Sequence, residues 1–213
     1  MRKYLVEFIG TFFFVLTVVA TVAGGAGSMA PVAIGSALMV MVYAGGHISG
    51  GHYNPAVTIA ACLRGACEWK DAPGYIVAQI VGAILAAIVG EYLVGHIGGA
   101  AGFPERLTNF DFLAGTIAEF LGTFALVWVV LQTATTKKTE GNSYYGLAIG
   151  FTVVVFAYAL GGVSGGAFNP AIATGLIASG LSSAGNIGAY LLGQLLAAVA
   201  AAFAFKYTYN RKA

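Results

Sequence analysis

The sequence predicts an all-α membrane protein: six transmembrane helices and two re-entrant half-helices, arranged as an inverted repeat. Three observations predict it. Of 213 residues, 59% are hydrophobic and 8% charged, too little charge to cover a water-facing surface. The apolar residues fall into runs of about 20, the length that crosses a bilayer as helix. One phrase occurs twice, as "SGGHYNPA" at 49–56 and "SGGAFNPA" at 164–171. The 31 glycines fit the same class, because small residues let membrane helices approach closely.

The elements follow in order. Spans are expected at about 4–23, 31–48, 74–95, 112–133, 144–162 and 186–206. The first run has no A-x-A cleavage site and is long enough to span, so it reads as a helix rather than a secretory signal. Two further apolar pieces, about 54–64 and 169–179, are too short to span. Each opens on Asn-Pro, a capping residue followed by a proline suited to the first helical turn. Each follows a Gly-rich approach, 47–51 and 162–166, expected to run extended with unpaired carbonyls. Such backbone is tolerated at membrane depth only where protein buries it or it lines a wet cavity. The polar stretch "ATTKKTEGN" at 134–142 reads as a linker.

The chain also repeats itself. "EFIGTF" at 7–12 returns as "EFLGTF" at 119–124, and Tyr75-x-x-x-Gln79 returns as Tyr190-x-x-x-Gln194. The offsets are 112 and 115 residues, so one transmembrane domain over 1–213 divides into a first repeat of about 1–100 and a second of about 112–213. Three spans per repeat is odd, so the second copy enters the bilayer inverted, about an axis in the membrane plane. Topology follows from the basic residues. With the N-terminus inside, Arg2, Lys3, Arg64, Lys70, Lys137, Lys138, Lys206, Arg211 and Lys212 are cytoplasmic and only Arg106 lies outside. Both termini are therefore expected in the cytoplasm.

Inversion brings the two Asn-Pro starts together near the midplane. Each helix N-terminus presents roughly half a positive charge there. Asn54 and Asn169 offer amide donors, Pro55 and Pro170 fix the first turn, and Ala56 and Ala171 are small enough for the tips to pack. A neutral oxygen-bearing molecule finds donors at that point, and a cation meets positive potential. The approaches supply acceptors along the wall, from the backbone of His47, Ser49, Gly50, Gly51, His52, Ser164 and Gly165.

Two Asn-Pro-Ala motifs in matching positions, "HISGGHYNPAVT" and the "EF-x-GTF" openings resemble the aquaporin and aquaglyceroporin (major intrinsic protein) family over nearly the whole chain. The resemblance implies a passive channel for water or small neutral solutes, a homotetramer with one pore per subunit, and a place in the cell membrane. It implies that Glu7 and Glu119 are buried carboxylates holding the loop carbonyls in place. It also implies an outer constriction, here formed by Ile34, Ala157, Gly166 and Ile172. In the family the position of Ile172 usually carries Arg. No basic residue occurs between Lys138 and Lys206, so nothing nearby substitutes along the chain. Two outcomes follow. The mouth is wide and apolar, admitting glycerol, urea, ammonia or hydrogen peroxide beside water, or Ile34 and Ile172 meet in a dry ring. Arg106 is either a solvated loop residue or a substitute charge.

His47 and His52 lack a Cys or carboxylate companion and read as loop or pore-lining groups rather than metal ligands. Tyr75, Tyr92, Tyr190, Tyr207 and Tyr209 suit an interfacial aromatic belt. The run "TFFFV" at 11–15 reads as lipid-facing, and Gly10, Gly82, Gly122 and Gly193 as helix crossings. Cys62 and Cys67 read as packing residues with free thiols. No metal cluster, nucleophile–base pair or cofactor motif points to an enzyme, and nothing points to nucleic acid. A secondary transporter would share inverted repeats and broken helices, but no midplane ionisable group is placed to couple an ion. A closed-pore structural protein is the third class.

Overall fold

The computed structural model describes residues 1–97 and 110–209. Eight α-helices carry the described chain: α1 (Arg2–Ala23), α2 (Ala30–Ser49), α3 (Pro55–Arg64), α4 (Ala72–Val94), α5 (Phe112–Ala134), α6 (Tyr145–Ser164), α7 (Pro170–Ala178) and α8 (Ile187–Tyr209). Six are long and apolar enough to cross a membrane, with α2 and α8 each extended by a preceding 3-10 turn. The expected spans lie within a few residues of these. The two short helices, α3 and α7, begin at the two prolines and cannot span. The chain is a multi-pass membrane protein.

Packing comes in matched pairs. Helix α1 packs on α4 as α5 packs on α8, and α1 on α2 as α5 on α6. The short helices cross over: α3 packs chiefly on α8, and α7 on α4. Each half-helix is thus held by the other half of the chain, so the halves bury their apolar surface jointly. The core at the crossing is made of small and branched residues, among them Val15, Ala56, Ala60, Ala83, Val127, Ala171 and Ala198. The face of each long helix that misses this core stays apolar and exposed, as at Phe13, Ile88, Leu113, Val155 and Phe203. In water that would be a liability; against lipid it is the expected solvent match.

The structure redraws some expectations. Of "TFFFV", only Phe13 is exposed; Phe14 and Val15 are buried in the core. Tyr75 and Tyr190 are buried as well, so they are not belt residues, whereas Tyr92 and Tyr207 are well exposed. Gly82 and Gly193 are helix crossings, against the backbone of α1 and α5 respectively. Gly10 and Gly122 instead make room for the rings of Tyr53 and Phe168. A further crossing, Gly35 of α2 on Gly150 of α6, joins two repeat-related glycines, each in an Ala-Ile-Gly that recurs at the offset of 115 residues. Arg106 lies outside the described residues.

Candidate functional site

The site is built where the two short helices start. The approaches are mostly helical rather than extended: α2 runs through His47 to Ser49, and α6 through Gly162 to Ser164. Each helix is stopped by the next glycine, Gly50 at φ 91° and Gly165 at φ 87°, a left-handed conformation that costs residues with a Cβ. The irregular segments are therefore short, 50–53 and 165–168. Within them, among the described residues, the carbonyls of Gly50, Gly51, His52, Gly165, Gly166 and Ala167 accept no hydrogen bond. His47, Ser49 and Ser164 belong to helix ends and contribute no extended backbone.

Two buried glutamates shape these segments. Glu7 Oε1 accepts from Ser49 Oγ at 2.7 Å and His52 N at 2.9 Å, and Oε2 from Tyr53 N at 2.7 Å and Gln79 Nε2 at 2.8 Å. Glu119 repeats the pattern: Oε1 accepts from Ser164 Oγ at 2.6 Å and Ala167 N at 3.0 Å, and Oε2 from Phe168 N at 2.6 Å and Gln194 Nε2 at 2.7 Å. Both side chains are fully buried. A carboxylate only accepts, so these residues hold the loop carbonyls in place through the loop N–H groups. Turning every N–H inward leaves the carbonyls pointing the other way. Tyr75 and Tyr190 complete the grip, donating to the carbonyls of Ser49 and Ser164 at 2.6 and 2.7 Å.

The residue before each Asn is an aromatic at positive φ, Tyr53 at 48° and Phe168 at 49°. Such a conformation costs of order 1–2 kcal/mol for a residue with a Cβ. The bond to the glutamate and the ring seated on Gly10 or Gly122 hold it there. The gain is the direction of the next carbonyl. Asn54 Nδ2 donates to Phe168 O at 3.0 Å, and Asn169 Nδ2 donates to Tyr53 O at 2.9 Å. Each Asn Oδ1 meanwhile caps its own helix, accepting from Ala56 N or Ala171 N at 2.8 Å. The two starts are thus latched to each other reciprocally. An amide has two N–H hydrogens, so each latch leaves one free. Sequence reasoning missed the positive φ and the latch, since a backbone carbonyl partner leaves no residue signature.

The other candidates are placed as follows. Ile172 is 4% exposed and sits in the apolar core, against which Ile34 also packs. Ala157 and Gly166 are half-buried. His52 Nδ1 lies 3.1 Å from Thr58 Oγ1, which also bonds Gln79 Nε2 and the carbonyl of Asn54. This polar chain exists in one half only; Ala167 and Ala173 stand at the matching places in the other. His47 is exposed on the wall of a cavity of about 520 Å³, with Gly50, Thr135, Lys137 and Tyr145. A smaller cavity of about 210 Å³ is lined by Gly50, His52, Arg64, Val130, Ala134 and Thr135. No group of His, Cys, Asp and Glu able to hold a metal occurs among the described residues.

The chain matches the family described as "Major intrinsic protein" over residues 1–157 and 106–213. It is 38% identical over 213 residues to "Glycerol uptake facilitator protein-like 6" of Lactiplantibacillus plantarum, covering 95% of this chain and 96% of that protein. It is 36% identical over 213 residues to "Aquaporin NIP1-1" of Zea mays, covering 96% and 74%. The crystal structure of the aquaglyceroporin from Plasmodium falciparum superposes with a TM-score of 0.79, at 21% identity, over 99% of this chain and 95% of that one. That likeness establishes the fold.

Proposed function

The chain belongs to the major intrinsic protein family, and on that premise we propose that it is a passive transmembrane channel for water and small neutral solutes. The observation that carries this is the reciprocal latch of Asn54 and Asn169. It aims two positive helix ends at one point and leaves one amide hydrogen on each side for a passing oxygen. The free carbonyls of 50–52 and 165–167 serve as the acceptors along the way. A solute handed from acceptor to donor to acceptor needs no bound ion and no proton-carrying group. Glu7 and Glu119, whose four bonds each are all inward, act as struts and not as carriers.

In this reading, the chain is one domain of two inverted repeats and assembles as a homotetramer in the cell membrane. Both termini face the cytoplasm. Supporting the orientation, Lys3 pairs with Asp71, and Arg64 with Thr135, which gathers basic residues onto the face where α1 and α4 begin and α5 ends. Ile34, Ala157, Gly166 and Ile172 form the outer constriction, without the Arg that usually completes it. Glycerol, urea, ammonia and hydrogen peroxide pass beside water because no charged side chain narrows the ring. Swelling of proteoliposomes in each solute tests this; permeabilities equal to those of empty vesicles for all of them would refute it.

A second reading of the constriction is favoured by one number. At 4% exposure, Ile172 is too enclosed for the wall of a wide wet mouth. In this version Ile172 closes a tight apolar ring, and size selection is strong. Ile172→Ala then raises glycerol flux several-fold, whereas in the wide version it changes little. Ile172→Arg lowers glycerol flux in either version, and unchanged flux would remove this site from the filter.

A further inference from the structure

We propose that Arg64 is the cation-excluding charge of this pore, placed at the inner mouth instead of the outer one; the inference rests on the channel reading above. Arg64 is the last residue of α3. Its Nε–H donates to Thr135 Oγ1 at 3.0 Å and its Nη2–H to Thr135 O at 2.7 Å. The guanidinium lies over the rings of Phe205 and Tyr209, at 5.1 and 5.5 Å from their centroids. These contacts fix it in place while using two of five N–H donors. The ion pairs among the described residues, Lys3–Asp71 and Lys70–Glu68, do not include it. The charge is therefore held by neutral groups, with donors to spare.

Its position gives that charge a use. Arg64 lines the smaller cavity beside Gly50 and His52, where the free carbonyls begin. Gly50, Ala134 and Thr135 line both cavities, so the two adjoin at the vestibule of this mouth. The C-terminal ends of α3 and α5 meet there, each carrying roughly half a negative charge. Lys137 and Glu140 also line the larger cavity with opposite charges, so without Arg64 the two helix ends would leave that mouth attractive to cations. Arg64 offsets both ends, and the apolar walls of Val130 and Ala134 leave its field poorly screened. Among the described residues, the opposite mouth has no counterpart. The repeat offset of 115 residues carries Arg64 onto Ser179, and Ile172 stands where the family usually has its Arg.

The test uses full-length protein in proteoliposomes, reading potassium and methylammonium leak against glycerol and water flux in one preparation. Arg64→Gln raises the ratio of cation to neutral flux by about tenfold or more, the low end of what a focused charge does to local ion concentration. Arg64→Lys keeps the charge without the double tether and keeps the ratio within about twofold of the wild type. Ala134→Glu places a carboxylate in the vestibule and leaves the tethers alone; it raises the ratio as well and carries the test if Arg64→Gln does not fold. An unchanged ratio in Arg64→Gln and in Ala134→Glu overturns the proposal. So does a leak in Arg64→Lys equal to that in Arg64→Gln, which would make the residue a strut. A wild type that passes no neutral solute refutes the channel reading itself, and this inference with it.

Discussion

Replacing Glu119 by Gln keeps the side chain's shape and removes its capacity to accept on both oxygens. The structure sets the cost. If the new NH2 takes the place of Oε2, it faces Phe168 N and Gln194 Nε2. Gln194 can turn its amide over, because its Oε1 has no partner. Phe168 N cannot turn, so one buried N–H is orphaned. If the NH2 takes the place of Oε1, the hydroxyl of Ser164 rotates and Ala167 N is orphaned instead. Either way the loss is one buried backbone donor, about 1–3 kcal/mol. Glu7→Gln has the same choice: with the NH2 in the place of Oε1, the hydroxyl of Ser49 rotates and His52 N is orphaned while Gln79 keeps its bonds to Oε2 and Thr58, so the cost is again about 1–3 kcal/mol. Unfolding in mixed detergent micelles measures both, with flux in proteoliposomes as the companion readout. A cost under about 0.5 kcal/mol for Glu119→Gln, well below one orphaned donor, would refute the four-bond account of the strut. A Glu7→Gln cost well outside that range would refute the equivalence of the two struts.

Asn169→Asp keeps the cap on Ala171 N but sets an anionic oxygen against Tyr53 O, so the latch breaks while α7 still starts correctly. It costs about 1–3 kcal/mol and makes the centre attractive to cations, read as potassium leak; unchanged stability and leak would contradict the latch. Asp71 gives a pH dependence. Hydrogen bonds from Lys3 and then Tyr4 hold its carboxyl below its ordinary 3.8. Its folded pKa is thus the lower one, so its contribution is present above pH 3.8 and fades as pH falls from there through the folded value. Asp71→Asn is expected to remove this part of the acid sensitivity, and an unchanged acid unfolding curve would contradict it.

Much of this was legible in the residues, for physical reasons. Hydropathy sets the long helices because lipid demands internal hydrogen bonding over a set length. Asn-Pro marks α3 and α7 because cap and first-turn preferences are local. The glutamates were legible as buried loop anchors, but not which N–H groups they grip. Tyr75 and Tyr190 sit at span ends and look like belt residues; what buries them is the re-entrant loop, and their partners are carbonyls. The helical run through His47 to Ser49 was hidden because the break falls at Gly50, while Gly45 and Gly46 remain in the helix. The positive φ at Tyr53 and Phe168 has no local preference behind it; it is imposed by the glutamate and the ring pocket together.

The central claim is that neutral molecules cross passively through the latched Asn54–Asn169 centre. Stopped-flow light scattering on reconstituted protein, over increasing osmotic gradients, measures it most directly. The account predicts water flux well above that of empty vesicles, proportional to the gradient and lowered by Asn169→Asp. Flux that saturates with the gradient, or that matches empty vesicles, would contradict it.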